Sequence, residues 1–242
     1  MRRFGLIGKT LKHSFSPGYF AKKFSELGVT DCSYENFELP SIEALPEVLS
    51  KPDLEGFNIT IPYKEEVLPF LHKQDKLVQH IRACNCVRII NGKLHGFNTD
   101  APAFRQALQT KLQPNHKCAL ILGSGGASKA VGYALEELGI DYMVVSRHKQ
   151  MNQLGYEDIG PDTIEEHQVI INTTPLGMYP NINDDPPIPY EAISSQHLLF
   201  DLTYNPEKTR FLQKGEARGA QILNGYSMLV LQAEESWKIW NS

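Results

Sequence analysis

The chain lacks any long hydrophobic run, and it lacks any block of basic residues. No apolar stretch approaches the roughly 20 residues that a membrane-spanning helix needs, so we expect no membrane partner. The apolar run within residues 1–8 is too short for a signal peptide and is typical of a first β-strand. The net charge is −4, and aromatic residues are not interleaved with basic ones, so we expect no nucleic-acid partner.

Cysteine is also scarce. The four cysteines are Cys32, Cys84, Cys86 and Cys118, and none of them forms a C-x-x-C pair. If Cys84-Asn85-Cys86 is part of a strand, both thiols lie on one face of it and Asn85 lies on the other. Small buried thiols in a reducing compartment are favoured over a metal or redox site at this spacing. The sequence therefore predicts a cytoplasmic protein with reduced cysteines and no bound metal.

The first part of the chain mixes short strands with short helices. The 242 residues suit one large domain or two modest ones, and a hydrophobic content of 41% is enough for a buried core. The spacing of apolar residues predicts strands at 4–8, 33–38 and 56–61 and helices at 19–27 and 41–49. Residues 87–97 predict a β-hairpin that turns at Asn91-Gly92.

The second part alternates strands and helices more regularly. After a helix at 101–112, strands are predicted at 118–122, 142–145, 169–171, 198–200 and 220–223, and helices at 127–138, 208–217 and 226–240. Such alternation predicts a parallel sheet with helices packed on it. Residues 181–189 are rich in proline and aspartate and predict a surface loop.

A glycine-rich loop follows the predicted strand 118–122. Gly123 allows a tight turn, and Gly125 lets the backbone approach a pyrophosphate. The small residues Gly126, Ala127 and Ser128 let the next helix pack close to the sheet, so that its positive N-terminus faces the phosphates. Because a strand precedes the loop and a helix follows it, the sequence predicts a dinucleotide site.

The end of the next strand favours NADP over NAD. NAD-binding folds usually place an acidic residue there, which binds the ribose 2′-hydroxyl. This chain instead has Ser146 and Arg147, followed by His148 and Lys149. A guanidinium group can pair with a phosphate in a bidentate manner, which suits the 2′-phosphate of NADP. The alternative is an ordinary solvated basic turn.

A lysine and a carboxylate, Lys64 and Asp100, stand at the ends of two short motifs that precede the glycine loop. Each also has an ordinary interpretation, as a solvated lysine at the start of a helix and as the N-cap of a helix that begins at Ala101. Thr60 can be merely a strand former, and Ser16-Pro17 an ordinary helix start. Taken singly, these residues favour the ordinary interpretation.

Together, the motifs resemble the shikimate dehydrogenase family across nearly the whole chain. In order they are His13-Ser14-Phe15-Ser16-Pro17, Asn58-Ile59-Thr60-Ile61-Pro62-Tyr63-Lys64, Ala83-Cys84-Asn85, Asn98-Thr99-Asp100, the Gly123 loop, Asn172-Thr173-Thr174-Pro175-Leu176-Gly177-Met178, Asp201-Leu202-Thr203-Tyr204-Asn205-Pro206 with Thr209, and Gly225-Tyr226-Ser227-Met228-Leu229-Val230-Leu231-Gln232-Ala233. Their number and order make the resemblance far more specific than the glycine loop alone.

The resemblance implies an α/β fold of two domains. Residues 1–100 together with 225–242 are expected to form an N-terminal α/β substrate-binding domain, and residues 101–224 a Rossmann-type NADP-binding domain, with the site in the cleft between them. It also implies reversible, NADPH-dependent reduction of 3-dehydroshikimate to shikimate in aromatic amino-acid biosynthesis. The sequence itself is compatible with either a monomer or a homodimer.

The resemblance also assigns the site residues. The catalytic pair is Lys64 and Asp100, which flank the oxygen that changes between ketone and alcohol. The substrate carboxylate is held by Ser14, Ser16 and Tyr204, and the ring hydroxyls by Thr60, Asn85 and Gln232 together with the catalytic pair. The cofactor-binding residues are Gly123, Ser124, Gly125, Gly126, Ala127, Ser146, Arg147, Leu202 and Gly225.

Several positions depart from the family pattern. They are Thr10 for proline, Arg82 for glycine, Cys86 for threonine, Ala101 for glycine, Ser124 for alanine, Ser146 for asparagine and Tyr226 for leucine. None removes a residue that the resemblance assigns to chemistry. Three rival interpretations remain: a quinate/shikimate dehydrogenase that uses NAD or a broader set of substrates, a ligand sensor without turnover, and a folate-type dehydrogenase of similar architecture.

Overall fold

The computed structural model describes residues 1–12 and 14–242 and divides the chain into two compact units. The first unit comprises Met1–Thr99 and Gln232–Ser242, and the second comprises Asp100–Leu231. His13, which belongs to the first motif quoted above, lies outside the described residues. The assignment of substrate binding to one unit and of dinucleotide binding to the other stays a prediction.

The first unit is built around a mixed six-stranded sheet. Its elements are β1 (Arg2–Gly8), α1 (Phe15–Glu26), β2 (Cys32–Glu38), α2 (Leu45–Leu49), β3 (Leu54–Ile59), β4 (Lys73–Gln74), α3 (Lys76–Ile81), β5 (Cys86–Ile90) and β6 (Lys93–Phe97). The strand order is β2-β1-β3-β5-β6-β4. Strands β1, β2 and β3 run parallel, whereas β5 is antiparallel to both β3 and β6.

Apolar residues of this sheet supply two separate core clusters. Ile7 and Phe57 belong to a cluster that includes side chains of α2 and α3. Phe4 belongs to the other, with Phe20 of α1 and Trp240 from the C-terminal helix. Because Phe4 and Ile7 lie three residues apart on one strand, they face opposite sides of the sheet.

The second unit is built around a parallel six-stranded sheet. Its elements are α4 (Asp100–Gln109), β7 (Cys118–Leu122), α5 (Gly126–Glu137), β8 (Asp141–Val145), β9 (Gln153–Leu154), α6 (Pro161–Glu166), β10 (Val169–Asn172), β11 (Leu198–Asp201), α7 (Arg210–Ala217), β12 (Gln221–Leu223) and α8 (Tyr226–Trp240), which continues into the first unit from Gln232. The strand order is β9-β8-β7-β10-β11-β12, with all neighbouring strands parallel.

This order is that of a doubly wound dinucleotide-binding fold. The chain moves outward in one direction from β7 to β9 and then returns to the other side of β7 with β10. Ligands of such sheets bind beyond the carboxyl ends of the strands, at the point where the order reverses. Alternate residues of β7 pack on opposite faces: Ile121 with helices α4 and α5, and Leu120 with α6 and α7. The predicted parallel, Rossmann-type sheet is confirmed.

Most predicted elements are present, and those that the sequence missed are short. The hairpin turns at Asn91 and Gly92, which both have positive φ, as expected. Elements α3, α6, β4 and β9 span two to six residues, which is too few for a clear period of apolar residues. Ser41 precedes a 3-10 turn that leads into α2, but its side chain makes no capping hydrogen bond.

The two neighbouring cysteines do not share a face. Strand β5 begins at Cys86, so Cys84 lies before it in irregular backbone. Cys84 packs in the cluster of Ile7, whereas Cys86 packs in the cluster of Phe4. The alternation of faces along a strand therefore applies to Cys86 but not to Cys84, and the prediction that both thiols lie on one face is wrong. Both thiols are fully buried as predicted, but Cys32 and Cys118 are only part-buried.

Neither a membrane span nor a metal cluster is found among residues 1–12 and 14–242. None of the helices described there combines the length and the apolar character that crossing a bilayer requires. No group of three or more His, Cys, Asp or Glu side chains in this part of the chain is arranged to hold a metal ion.

Candidate functional site

The glycine loop lies at the point where the strand order of the parallel sheet reverses. Gly123 follows β7 with a φ of +112°, and a Cβ there would lie 2.7 Å from Thr173 Oγ1, just after β10. Its N–H donates to Val145 O of β8 at 2.8 Å. Both the positive φ and this close approach require glycine, so the loop's first turn is fixed against both neighbouring strands.

The start of α5 fits the phosphates of a dinucleotide. Gly125 is the N-cap residue, and a Cβ on it would project into open space. Ser128 turns inward, since its N–H and Oγ donate to Gly125 O at 3.0 and 2.7 Å. Gly126 and Ala127 begin the helix, where N–H groups have no partner within the helix and the dipole favours an anion. The residues present therefore offer room and donors for a pyrophosphate.

The predicted 2′-phosphate residues lie at the end of β8. Ser146 is buried, its Oγ is 3.1 Å from Ser124 Oγ, and it accepts a hydrogen bond from His148 N at 3.3 Å. Ser124 and Ser146, both predicted cofactor residues, are thus brought together. Arg147 is exposed. The sequence did not reveal that Lys149 is already paired, at 2.8 Å, with Asp158.

Two further predicted cofactor residues, Leu202 and Gly225, are also neighbours. A Cβ on Gly225 would collide with the backbone of Leu202, and Gly225 N donates to Thr203 O at 3.0 Å. Only glycine allows the start of α8 to approach the segment after β11 so closely. Tyr204, which follows in that segment, is part-buried and belongs to the second unit.

In the first unit, backbone hydrogen bonds bring together Thr60, Lys64 and Asn85. Ile59 N donates to Asn85 O at 2.9 Å, and Cys84 N donates to Lys64 O at 2.8 Å. Between Thr60 and Lys64 stands Tyr63, whose buried hydroxyl donates to Leu39 O at 2.6 Å. The three predicted substrate residues therefore lie on adjoining, firmly anchored backbone segments.

Asn85 and Gln232 are joined by their side chains. Asn85 Nδ2 donates to Gln232 Oε1 at 3.2 Å and to Thr99 Oγ1 at 2.9 Å. Asn85 Oδ1 accepts a hydrogen bond from Thr99 N at 2.7 Å. Asn85 is almost fully buried, so these bonds fix the orientation of its amide and also hold the backbone that leads into Asp100.

Sequence reasoning gave no role to Asn58, Tyr34 and Ser236, which connect the predicted substrate residues. The Tyr34 hydroxyl donates to Asn58 Oδ1 at 2.9 Å, and Asn58 Nδ2 donates to Ser236 Oγ at 2.8 Å and Asn85 O at 3.1 Å. Burial raises the pKa of Tyr34 far above its usual range, although a hydrogen bond with Ser16 acts in the opposite direction. The available signal was a single asparagine between the apolar residues Phe57 and Ile59.

The remaining predicted residues lie at the ends of helices or in a turn. Ser14 is at the N-cap position of α1 without a capping side-chain bond, and Ser16 is buried in its first turn. Lys64 is part-buried in a turn of the first unit. Asp100 is buried and belongs to the second unit, where it is the first residue of α4 rather than the residue before the helix.

Comparison with known proteins gives consistent results along the chain. A family model described as the shikimate dehydrogenase substrate binding domain matches residues 6–87. A shikimate dehydrogenase (NADP(+)) of Caldicellulosiruptor saccharolyticus is 38% identical over 259 residues, covering 99% of this chain and 92% of the relative. The protein of that name from Staphylococcus aureus strain Newman is 36% identical over 253 residues, with the same two coverages, 99% and 92%.

A solved structure shows the same likeness. Shikimate 5-dehydrogenase from Thermus thermophilus, crystallised in complex with NADP(H) and shikimate, matches with a TM-score of 0.88 and 33% identity. The match covers 99% of this chain and 93% of that one. A shikimate dehydrogenase that is 38% identical to this chain aligns with 99% of the chain's residues. The chain therefore belongs to the shikimate dehydrogenase family.

Proposed function

We propose that this protein catalyses the reversible, NADPH-dependent reduction of 3-dehydroshikimate to shikimate, a step of aromatic amino-acid biosynthesis. The observation that carries the proposal is the similarity of 99% of this chain to 92% of relatives named shikimate dehydrogenase (NADP(+)). The parallel sheet, with an intact glycine loop at its switch point, supports the dinucleotide part of the proposal.

The substrate is a small ring that carries a carboxylate and several hydroxyl groups. In the first unit, Thr60, Asn85 and Gln232 supply hydroxyl and amide groups that can both donate and accept hydrogen bonds, which suits ring hydroxyls. Ser14 and Ser16, with Tyr204 of the second unit, supply hydroxyl donors for the carboxylate. The hydrogen bonds around Asn85 hold its amide in a single orientation and so favour one pattern of hydroxyls over another.

Lys64 and Asp100 carry the chemistry in this proposal. NADPH, when bound, supplies a hydride, so that negative charge develops on the ketone oxygen. The Lys64 ammonium stabilises that charge and provides the proton that completes the alcohol. Asp100 accepts a hydrogen bond from the alcohol. The turn around Tyr63 holds the Lys64 backbone in place, so less of its freedom is lost when it reaches the reacting oxygen.

Preference for NADP is assigned to Arg147 with Ser146. No acidic side chain occupies residues 146–149, where NAD-binding folds place one for the 2′-hydroxyl. Arg147 is exposed, so a guanidinium is accessible at the end of β8 for the additional phosphate.

Compartment and assembly are part of the same proposal. Four free cysteines suit the reducing cytoplasm, where the pathway substrate would be available. A monomer or a homodimer is proposed, and light scattering on the purified protein distinguishes the two.

The test is an assay of absorbance at the NADPH band, with shikimate and NADP⁺. We expect oxidation of shikimate with NADP⁺, less with NAD⁺ and less with quinate. Lys64→Ala should lower kcat by about 10²–10⁴-fold, because it removes the general acid. Lys22→Ala is the matched control, since its side chain is 77% exposed and pairs only with Glu26 in the same helix among the described ion pairs.

The outcomes separate the proposed function from its rivals. Faster turnover of quinate with NAD⁺ would favour a quinate/shikimate dehydrogenase. Absence of turnover with every pair, despite calorimetric binding of shikimate, would favour a ligand sensor. If Lys64→Ala and Lys22→Ala behave alike, the role of Lys64 is wrong.

A further inference from the structure

A buried carboxylate that the reaction does not use stands at the carboxyl end of β11. Asp201 is fully buried, and hydrogen bonds hold both of its oxygens. Oδ1 accepts from Thr203 N at 2.9 Å and from Asn172 Nδ2 at 3.2 Å, and Oδ2 accepts from Thr209 Oγ1 at 2.6 Å. Burial raises the pKa of Asp201, and the hydrogen bonds from Thr209, Thr203 and Asn172 act in the opposite direction.

Burying a carboxylate lowers the free energy of unfolding, so Asp201 is not explained by a contribution to overall stability. A carboxylate loses its hydration on burial, and hydrogen bonds recover only part of that loss. An apolar residue of similar size at the end of β11 would pack without this cost. The role of Asp201 is therefore sought in the chain segments that its hydrogen-bond partners hold in place.

One set of contacts fixes the segment that follows β11. Thr203 gives its N–H to Asp201, while its carbonyl accepts from Gly225 N at 3.0 Å. Leu202 N donates to Asn172 O at 3.0 Å. Thr209, held by Oδ2, closes the segment at its far end and caps α7. The backbone of Leu202, Thr203 and Tyr204 is thereby anchored at both ends.

A second set of contacts reaches the glycine loop. Asn172, which donates to Asp201, accepts hydrogen bonds from Thr174 N at 3.0 Å and Thr174 Oγ1 at 2.6 Å. The neighbouring Thr173 donates through N and Oγ1 to Leu122 O at 2.9 and 2.8 Å. Thr173 Oγ1 is also the atom that a Cβ on Gly123 would approach. Asp201 is thus connected to the segments after β7, β10 and β11.

We propose that Asp201, through Asn172 and Thr209, is a positioning residue for the NADP site. It holds the segments that follow three parallel strands in the arrangement that the dinucleotide binds, so this edge of the sheet is formed before the cofactor arrives. The inference rests on the proposed function for the identity of the ligand. It assigns a positioning role to Asn172, Asp201 and Thr209, and none of these residues is among those proposed to contact substrate or cofactor.

The test uses the full chain and the variants Asp201→Asn, Thr209→Val and Thr209→Ser. The affinity for NADP⁺ is measured by calorimetry, kcat with shikimate by absorbance, and Tm by scanning calorimetry. Asp201→Asn and Thr209→Val should weaken NADP⁺ binding and lower kcat/KM by about 10–10²-fold, because misplacing binding groups by about 1 Å has effects of that size. Thr209→Ser keeps the hydroxyl and should restore both.

Asp75→Ala is the control for a loss of stability alone. Asp75 caps α3 in the first unit by accepting from Val78 N at 2.7 Å, so its removal should lower Tm and leave the NADP⁺ affinity unchanged. If Asp201→Asn and Thr209→Val also lower Tm while NADP⁺ affinity and kcat stay within twofold of the parent protein, the proposal is overturned. If one of these two variants does not fold, the other decides between the outcomes.

Failure of the proposed function gives a different result. A parent protein that binds NADP⁺ but does not oxidise shikimate would refute that function, yet the comparison of NADP⁺ affinities would still test Asp201.

Discussion

Arg82 adopts a backbone conformation that glycine usually occupies. It is the C-cap residue of α3, with φ and ψ of 59° and 34° in the left-handed region. The resemblance had indicated that relatives often have glycine here, and the conformation supplies the reason. A left-handed conformation costs a residue with a Cβ about 1–2 kcal/mol. The Arg82 side chain is exposed, so it points to solvent rather than into the core.

Arg82→Gly should therefore stabilise the protein. Relief of strain outweighs the extra freedom that glycine has in the unfolded chain, for a net gain of about 0.5–1 kcal/mol. For a protein of this size that gain corresponds to a Tm increase of roughly 1–4 °C, measurable by scanning calorimetry. Arg82→Ala is the control, since it removes the charge and keeps the Cβ. Equal gains from both substitutions would attribute the effect to charge instead of backbone strain.

Arg147 and Lys149 are both basic residues after β8, but only one is expected to bind the cofactor. Both side chains are exposed, but Lys149 is paired with Asp158 at 2.8 Å and Glu157 at 3.7 Å, whereas none of the ion pairs among the described residues involves Arg147. Arg147→Ala should raise the KM for NADP⁺ about tenfold or more, because a charge-assisted hydrogen bond contributes about 1.5–3 kcal/mol, and should change the KM for NAD⁺ much less.

Lys149→Ala is the matched control for Arg147→Ala. Steady-state kinetics with both cofactors should show a smaller effect for Lys149→Ala. An unchanged preference for NADP⁺ in Arg147→Ala would show that the 2′-phosphate binds elsewhere.

At the scale of elements, a cluster of polar side chains ties α1 to the C-terminal part of α8 in the first unit. Lys23 Nζ donates to Glu234 Oε1 and Oε2 at 2.7 and 2.8 Å, and the Tyr19 hydroxyl also donates to Oε1. Helix α1 carries Ser16 and α8 carries Gln232, so this cluster links the two helices that carry these predicted substrate residues.

The cluster should make stability depend on pH. Burial by itself raises the pKa of Glu234, but hydrogen bonds from Lys23 and Tyr19 outweigh it, so the pKa is lowered. A carboxyl group whose pKa is lowered by folding stabilises the folded state at pH values above its pKa in the unfolded chain, about 4.3. That contribution is lost as the pH falls through the lower pKa of the folded state. Because the pair is partly exposed, its contribution is about 1 kcal/mol at most.

The measurement is urea denaturation at several values of pH. Glu234→Gln should be less stable than the parent protein at neutral pH, and the difference should shrink as the pH is lowered past about 4.3. Glu26→Gln is the control, since Glu26 is exposed and its contact with Lys22 is 3.7 Å long. A difference that stays constant with pH would contradict the assignment.

At the scale of the whole molecule, each unit has its own sheet and its own apolar clusters. The first unit carries Lys64 and most of the predicted substrate residues, and the second carries Asp100, Tyr204 and all the predicted cofactor residues. A ligand that binds residues of either unit, and binds them only when the chain is folded, should raise the free energy of unfolding. At a free ligand concentration of about 100 times Kd, the free energy of unfolding should increase by about 2.7 kcal/mol.

Addition of NADP⁺ should accordingly raise the Tm. For a chain of this size each kcal/mol corresponds to roughly 2–4 °C, so a rise of about 5–10 °C is expected near 100 times Kd. NAD⁺ at the same concentration should give a smaller rise, and in Arg147→Ala the two cofactors should become alike. Scanning calorimetry checks this without turnover. An equal rise with both cofactors in the parent protein would contradict the preference for NADP.

Local sequence patterns predicted the elements well where the pattern is long or the turn chemistry is specific. Asn91-Gly92 determines its hairpin because both residues tolerate positive φ. The run from Cys118 to Val145 determines a βαβ unit, because strand, glycine loop and helix follow one another directly. The motifs of the family are linear, so the sequence by itself also identified the relatives and named the residues proposed for substrate, cofactor and chemistry.

Only the tertiary structure decided which distant residues meet. Asn58 joins Tyr34 to Ser236, Cys84 and Cys86 pack in different clusters, and Asp201 connects the segments after three strands. The physical reason is that the period of apolar residues specifies which face of an element is buried, but not which partner covers it. Strand order and buried hydrogen bonds depend on those partners, which lie many residues away in the chain.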